Sequence, residues 1–338
     1  MPVRLKDIAE RLGLSITTVS RALGGYPDVA EETRRRVESA AHEMGYYPDA
    51  SAQKLQKRRT DTIGFIIPTF GPRFADPFFS EMLAGVGNEA SRHRMDLLVA
   101  THPPGPTEIE TYQRWVGSHR VDGFVLVRTR RNDARIRYLA SCGALFAAYG
   151  RSDMEIDFLH VGVDGQRGMY EATQHLISLG HHRIAYIAPP SGTQFSVHRR
   201  AGIDLALRSN GLSLPQELSV EGDLTEESGY QIAQRLLATN PAPSAIVCGN
   251  DLMALGAMSA VHEQGLTVGQ DISVVGFDDI PSSKHSHPPL TTVRQPVYDI
   301  GRRVCRMLIQ CIHAESIEER HIVLQPEFVI RESAGPPV

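Results

Sequence analysis

The chain lacks most of what marks an enzyme, a metalloprotein or a membrane protein. Its four cysteines, Cys142, Cys248, Cys305 and Cys311, have no metal-ligand spacing. They read as free thiols of a reducing compartment. No apolar run approaches the roughly 20 residues of a membrane span. The first residues lack the charged-then-apolar pattern of a secretion signal. A cytoplasmic location without a membrane partner is therefore expected. GxSxG, a P-loop, a GxGxxG after a strand and HExxH are all absent, and the fourteen histidines are scattered. No catalytic residue, metal or cofactor is expected, and the chain does not read as an enzyme. Net positive charge is missing too: the total is −4, which alone argues against nucleic acid.

The distribution of charge says more than the total. Residues 1–59 carry eleven Lys and Arg against eight Asp and Glu, an excess of three, while residues 60–338 carry 24 against 31, a deficit of seven. A small basic head on an acidic body suits a DNA-binding segment joined to a domain that binds something else. Inside the head, Leu5 to Leu23 reads LKDIAERLGLSITTVSRAL. Leu5, Ile8, Ala9 and Leu12 fall at helical spacing on one apolar face. Gly13 ends that helix, because glycine takes the left-handed conformation favoured at a helix C-terminus. Ser15 stands where an N-cap belongs, and Val19, Ala22 and Leu23 face inward on a second helix. Ile16, Thr17, Thr18, Ser20 and Arg21 remain on or beside its outer face. Two short helices, a turn with glycine and polar residues opening the second make a helix-turn-helix, whose second helix enters the DNA major groove. A plain surface hairpin is the alternative. On the DNA reading Ile16, Thr17 and Arg21 face base edges, and Thr18 and Ser20 face phosphates. A third helix is expected over residues 31–44, with Val37, Ala40, Ala41 and Met44 inward and Gly45 closing it. Its run Arg34–Arg36 is expected to be mostly solvated, with one or two side chains in reach of phosphate.

VRLKDIAERLGLSITTVSRALGG followed by EETRRRVESAAHEMGYYPDASAQKL resembles the headpiece of the lactose-repressor (LacI) family of bacterial transcription regulators. TVSRAL and GYYPDASAQKL are the most specific pieces, and later motifs extend the likeness nearly end to end. Two positions depart from the family pattern. Arg4 stands where a Thr usually caps the first helix, and Ala30 where a Ser caps the third; a lost N-cap costs about 0.5–2 kcal/mol. The resemblance implies that residues 49–57 form a hinge helix docking in the minor groove. It also implies that Leu55 wedges between bases there and kinks the duplex.

From Thr62 onward the texture is alternating strand and helix. TIGFIIP, MDLLVAT, DGFVLVRT, ALFAAYG, FLHVGVD, RIAYIAPP, SAIVCGND, ISVVGFDD, LTTVRQP and PEFVIRES read as strands. Helices are expected between them, among them 79–93, 168–179 and 297–313. Such alternation means parallel sheets covered by helices on both faces, and the segment is too long for one usual core. The fold class is thus α/β: an all-α helix-turn-helix headpiece plus a two-lobed, periplasmic-binding-protein-like domain with parallel sheets, the lobed form being what the resemblance implies. The expected divisions are 1–47 for the headpiece, 48–60 for hinge and linker, and 61–338 for the effector domain. Its N-lobe would take about 61–162 and 295–323, its C-lobe about 163–294 and 324–338.

Ligands of such sheets sit at the carboxyl ends of strands, and that is where several polar residues fall. Asp76, in DPFF after the first strand, can accept hydrogen bonds from ligand hydroxyls or simply cap a helix over a core of Phe side chains. The family's similar motif favours the first role and puts Phe79 on the pocket wall. Arg199 and Arg200 both could fork hydrogen bonds onto a ligand, and bare sequence does not choose; the family's Arg-x-x-Gly pattern, matched by Arg199 and Gly202, selects Arg199. Asn250 and Asp278 end strands facing the expected cleft, while Asp251 suits capping and turns, a role also open to Asp279, which follows Asp278 in GFDD. The resemblance places Gln295 at a lobe crossover. Leu224 stands where relatives carry a stacking aromatic, for which Tyr149 or Phe195 could substitute. The run Arg128–Arg131 is either a surface or a contact for an anionic ligand, with Arg130 and Arg131 expected at the surface. His181 and His182, in LGHHRIAYI, read as structural.

These features lead to a sequence-specific regulator, most simply a repressor, of double-stranded operator DNA. A small carbohydrate held between the lobes would control it. The alternatives are a nucleobase or sugar phosphate in the same site, or a sugar-binding transport protein. A headpiece this small reads few base pairs, so a homodimer on a near-palindrome is expected; ESAGPPV at the end shows no heptads for a tetramer.

Overall fold

The computed structural model describes residues 3–46, 59–69 and 76–338. The contacts divide into two units, 1–60 and 61–338. The expected hinge with Leu55 lies outside the described residues.

The first unit holds three helices, α1 (Leu5–Leu12), α2 (Ile16–Leu23) and α3 (Glu31–Glu43). Their small core is Ile8, Ala9, Val19, Ala22, Val37, Ala40 and Ala41. Gly13 closes α1 at φ +66°, a conformation that suits glycine because a Cβ would crowd the following carbonyl. Ser15 Oγ then accepts the Thr18 N–H at 3.0 Å and opens α2. Arg4 offers no side-chain cap, but the Asp7 carboxylate reaches back to its N–H at 2.8 Å. Half of a reciprocal cap is kept. Ala30 caps nothing; Glu31 and Glu32 supply first-turn negative charge instead.

In the second unit a six-stranded parallel sheet has the order β11-β5-β4-β3-β1-β2. Its strands are β1 (Thr62–Pro68), β2 (Asp96–His102), β3 (Gly123–Leu126), β4 (Phe146–Tyr149), β5 (Leu159–Val163) and β11 (His321–Leu324). The interior strand β1, between β3 and the edge strand β2, is buried along its whole length, as expected for a strand covered on both faces. Ile63, Phe65 and Ile67 face the helices Pro77–Arg92 and Val297–Ile312. Ile66, on the other face, meets Tyr112, Trp115 and Ile136.

A second, four-stranded parallel sheet has the order β7-β6-β8-β9. It comprises β6 (Ile184–Ala188), β7 (Ser219–Glu221), β8 (Ala245–Cys248) and β9 (Ser273–Val275). The chain passes from the first sheet to the second after Val163. It comes back through Gln295 into the helix Val297–Ile312, and passes over again after β11. There β12 (Glu327–Val329) pairs antiparallel with β10 (Thr292–Arg294). The helix expected over 79–93 begins earlier, at Pro77, because Asp76 caps it and Pro77 suits the first turn. The two histidines precede β6. His181 is buried and bridges Ser244 Oγ at 2.8 Å, Ser273 Oγ at 3.0 Å and the Gly335 carbonyl at 2.8 Å.

Candidate functional site

The carboxyl ends of strands from both sheets meet at a cavity with about 650 Å³ of empty space, part of it open to solvent. Asp76, Tyr149, Phe195, Arg199, Asn250, Asp278 and Gln295 all line it. Each is delivered by a strand end or by the first turns of the helix that follows. Asp76 does two jobs. One oxygen accepts the Phe78 N–H at 3.1 Å, capping the helix, and the other accepts Arg128 Nη2 at 2.6 Å. Asn250 likewise caps the helix Asp251–Glu263 through Met253 and donates to the Leu224 carbonyl at 3.0 Å. The alternatives of cap and pocket residue are therefore both realised in one side chain.

Gln295 ties the sheets together. Its amide nitrogen donates to Asp278 Oδ1 at 2.6 Å, and its oxygen accepts the Tyr149 hydroxyl. Arg199 donates to the Gly249 carbonyl and lies 3.6 Å from Asp278. Its guanidinium sits over Phe277, 3.7 Å from the ring centroid, and 4.7 Å from that of Phe195. Arg200 instead pairs with Asp204 on the outside of the same helix. Burial pushes the Asp278 carboxyl up to about 8, further raised by Asp251 and Asp76 and opposed by Arg199. Burial also raises Asp76, against the pull of Arg128. Three non-glycine residues on the wall hold left-handed backbone, Arg128 at φ +51°, Leu224 at +72° and Asp278 at +129°. Strain of this kind gathers at functional sites.

Two expectations need correction, and a third is narrowed. Phe79 does not line the cavity: it lies in the core beneath Arg128, whose guanidinium is 4.5 Å from its ring centroid, and Phe78 takes the wall. Adjacent helical residues point about 100° apart, and the Asp76 cap sets which of the two turns inward. Arg130 is not a surface residue; it grips the buried Glu108 with two hydrogen bonds, at 2.6 and 3.0 Å. Of the capping and turn roles expected for Asp251, Asn250 takes the cap, while buried Asp251 keeps the turn role, accepting from the Ile280 N–H at 2.9 Å and from Ser283 Oγ at 2.6 Å at the turn Pro281–Lys284. Sequence reasoning also passed over Gln194 and His198, which line the cavity too. Their spacing of four, in register with Phe195 and Arg199, was the available signal.

On α2, Ile16 and Thr17 are exposed, while Thr18, Ser20 and Arg21 are half-buried. Thr18 shares its hydroxyl with Ser15 Oγ at 2.8 Å. Arg21 pairs with Asp28 at 2.6 Å and lies over the Tyr26 ring. Arg34, from the basic run, donates to the Tyr26 carbonyl at 2.8 Å.

Residues 4–49 match the bacterial regulatory proteins of the lacI family, and residues 173–334 match the periplasmic binding protein-like domain. The transcriptional regulator AglR of Rhizobium meliloti (strain 1021) is 39% identical, the match covering 99% of this chain and 95% of that protein. The chain belongs to the LacI family. The regulator CelR of Thermobifida fusca is 34% identical over 97% of each chain. Among solved structures, the lac repressor dimer bound to operator and the anti-inducer ONPF superposes with a TM-score of 0.86 at 28% identity, covering 99% of this chain and 100% of that one. A CelR–cellobiose complex gives 0.76 at 33% identity, covering 98% and 99%.

This LacI-family chain is accordingly a ligand-controlled, DNA-binding regulator of transcription. Among the described residues no helix is long and apolar enough to cross a membrane.

Proposed function

We propose that this LacI-family chain is a cytoplasmic repressor, without enzymatic activity, that binds a near-palindromic operator as a homodimer. A small neutral carbohydrate in the cavity controls its affinity for DNA. Ser15 positions the reading helix; Ile16, Thr17 and Arg21 read base edges, and Thr18 and Ser20 meet phosphates. Asp76, Arg199, Asn250, Asp278 and Gln295 hold the effector, with Tyr149, Phe195 and Phe78 beside it. The observation that carries the carbohydrate reading is the pairing inside the cavity. Arg128 faces Asp76 and Arg199 faces Asp278, so carboxylates, guanidinia and amides converge as they would around a ring of hydroxyls. The relatives support the same reading: CelR is solved with cellobiose, and a LacI-family regulator from Enterococcus faecium with ribose.

The division into headpiece (1–47), hinge (48–60) and two-lobed effector domain (61–338) belongs to this proposal, as does a minor-groove role for Leu55. Effector and operator would be linked reciprocally, each altering the other's affinity by the same factor.

The test begins with an operator selected from random DNA, followed by titration of the complex with sugars. A carbohydrate should change operator affinity at least tenfold, and should raise the melting temperature by binding the folded state alone. Asp278→Ala should abolish that response while operator binding stays nearly intact; a variant responding at parental sugar concentrations would refute the assignment. Arg21→Ala should flatten preference at one base pair per half-site, worth about 1–3 kcal/mol of discrimination. Equal weakening on every sequence would make Arg21 a phosphate contact.

A further inference from the structure

The helix Gln194–Ser209 turns two neighbouring stripes toward the cavity. Residues four apart share a helical face, so Phe195 and Arg199 form one stripe and Gln194 and His198 the next. The two stripes have different neighbours. Arg199 interacts with Asp278, Arg128 and Tyr149. His198 instead feels Arg151, Asp153 and Asp164.

The second stripe has unspent hydrogen-bonding capacity. Gln194 is 1% exposed, yet neither its amide nitrogen nor its amide oxygen has a partner. His198 Nε2 is buried and unpartnered as well. Proteins seldom bury a primary amide with both ends unsatisfied, because its hydration is lost without return. The main chain at Gln194 is held in place. Its own N–H donates to the Thr129 carbonyl at 2.9 Å, and Arg131 N–H donates to the Gly192 carbonyl at 3.2 Å. These bonds clip the start of this helix to the strand end of the other sheet.

We infer that Gln194 and His198 are specificity-determining residues forming a second polar subsite, which reads hydroxyls on a second sugar unit. The effector is then an extended carbohydrate of two units rather than a single ring. An amide offers an acceptor and donors side by side, the complement of a vicinal diol with one hydroxyl donating and the other accepting. His198 adds one more ring nitrogen to the same patch. One sugar unit lies against Asp76, Arg199, Asp278 and Gln295, and the other against Gln194 and His198. This rests on the carbohydrate reading above and deepens it. A site built to hydrogen-bond a hydroxyl discriminates strongly against analogues lacking it, because its buried polar groups are then left unpaired.

The experiment is calorimetric titration of the full chain with glucose, maltose, cellobiose, trehalose and sucrose, for the parent, Gln194→Leu and Gln194→Asn. At least one disaccharide is expected to bind tenfold or more tightly than glucose. Gln194→Leu should reduce that preference tenfold or more, with Gln194→Asn between it and the parent. The melting temperature of unliganded Gln194→Leu should be unchanged or higher, since an unsatisfied buried amide has been removed. If Gln194→Leu does not fold, the Asn variant carries the test. A disaccharide bound with undiminished preference by both variants overturns the subsite and leaves the carbohydrate reading intact. So does glucose binding as tightly as every disaccharide. Equal weakening toward glucose and disaccharide would reduce Gln194 to a structural residue. Binding of none of the five sugars overturns the carbohydrate reading and this inference with it.

Discussion

Two clusters of two carboxylates and two arginines lie within the same lobed unit, and they behave in opposite ways. In the first, Arg135 is wholly buried with Glu108 and Asp133. It donates to both oxygens of Asp133, at 2.9 and 2.7 Å, and to the Arg128 carbonyl at 3.0 Å. Glu108 also takes the fork of Arg130. Burial works to raise Asp133, but the hydrogen bonds and charge of Arg135, together with the Arg130 N–H and charge, outweigh it and hold the carboxyl below its ordinary range. In the second cluster, Asp76, Arg128, Arg199 and Asp278 surround the cavity, and burial outweighs the attraction. Both carboxyls are pushed up there, and Arg199 Nε has no partner. The closed cluster has spent its hydrogen bonds on itself and can only be structure. The open one keeps capacity that a ligand can use.

The largest expected effect breaks the closed cluster. Arg135→Met leaves Asp133 without its two-pronged partner and should cost about 3–5 kcal/mol, as removing one member of a buried pair does. Urea unfolding measures it, and a loss under about 1 kcal/mol would erase the contrast. A smaller effect, of opposite sign, is expected in the open cluster. The folded-state value of Asp278, about 8, lies above the ordinary 3.8. Between those values the folded chain holds the extra proton. The stability tied to this group is therefore full below about pH 4 and is lost as pH rises through about 8. Asp278→Asn removes that dependence, so at pH 9 it should be more stable than the parent, by on the order of 2 kcal/mol. Parallel stability–pH curves for the two proteins would contradict the assignment. The smallest effect is at Arg131, which is exposed. Arg131→Ala should stay within about 0.5 kcal/mol of the parent, isolating what its neighbours contribute.

Much of the architecture was legible because it depends on near neighbours in sequence. The turn at Gly13, the cap at Ser15 and the inward face of Val19 and Ala22 follow from local spacing. Apolar runs such as TIGFIIP announce buried strands in the same way. The polar residues at strand ends were legible for a topological reason: parallel sheets present those ends to a common cleft. Choosing Arg199 over Arg200 needed the family pattern as well, since both are basic and adjacent. The structure puts the first in the cavity and the second on Asp204.

The basic run RTRR marks where sequence alone stops. By itself it determined a chain emerging from a strand end with three positive charges. It could not say that Arg128 meets Asp76, that Arg130 meets Glu108, or that Arg131 meets solvent, since those partners lie 52 and 22 residues away for the first two. The same holds for Phe78 against Phe79, where a cap sets which ring turns to the cavity, and for Gln194. The sequence determined the helices, the strands and the chemistry available at their ends, because these follow from local geometry and side-chain type. Tertiary structure alone decided which groups are satisfied and which are left for a ligand, because hydrogen bonding and burial belong to the assembled surroundings of a side chain.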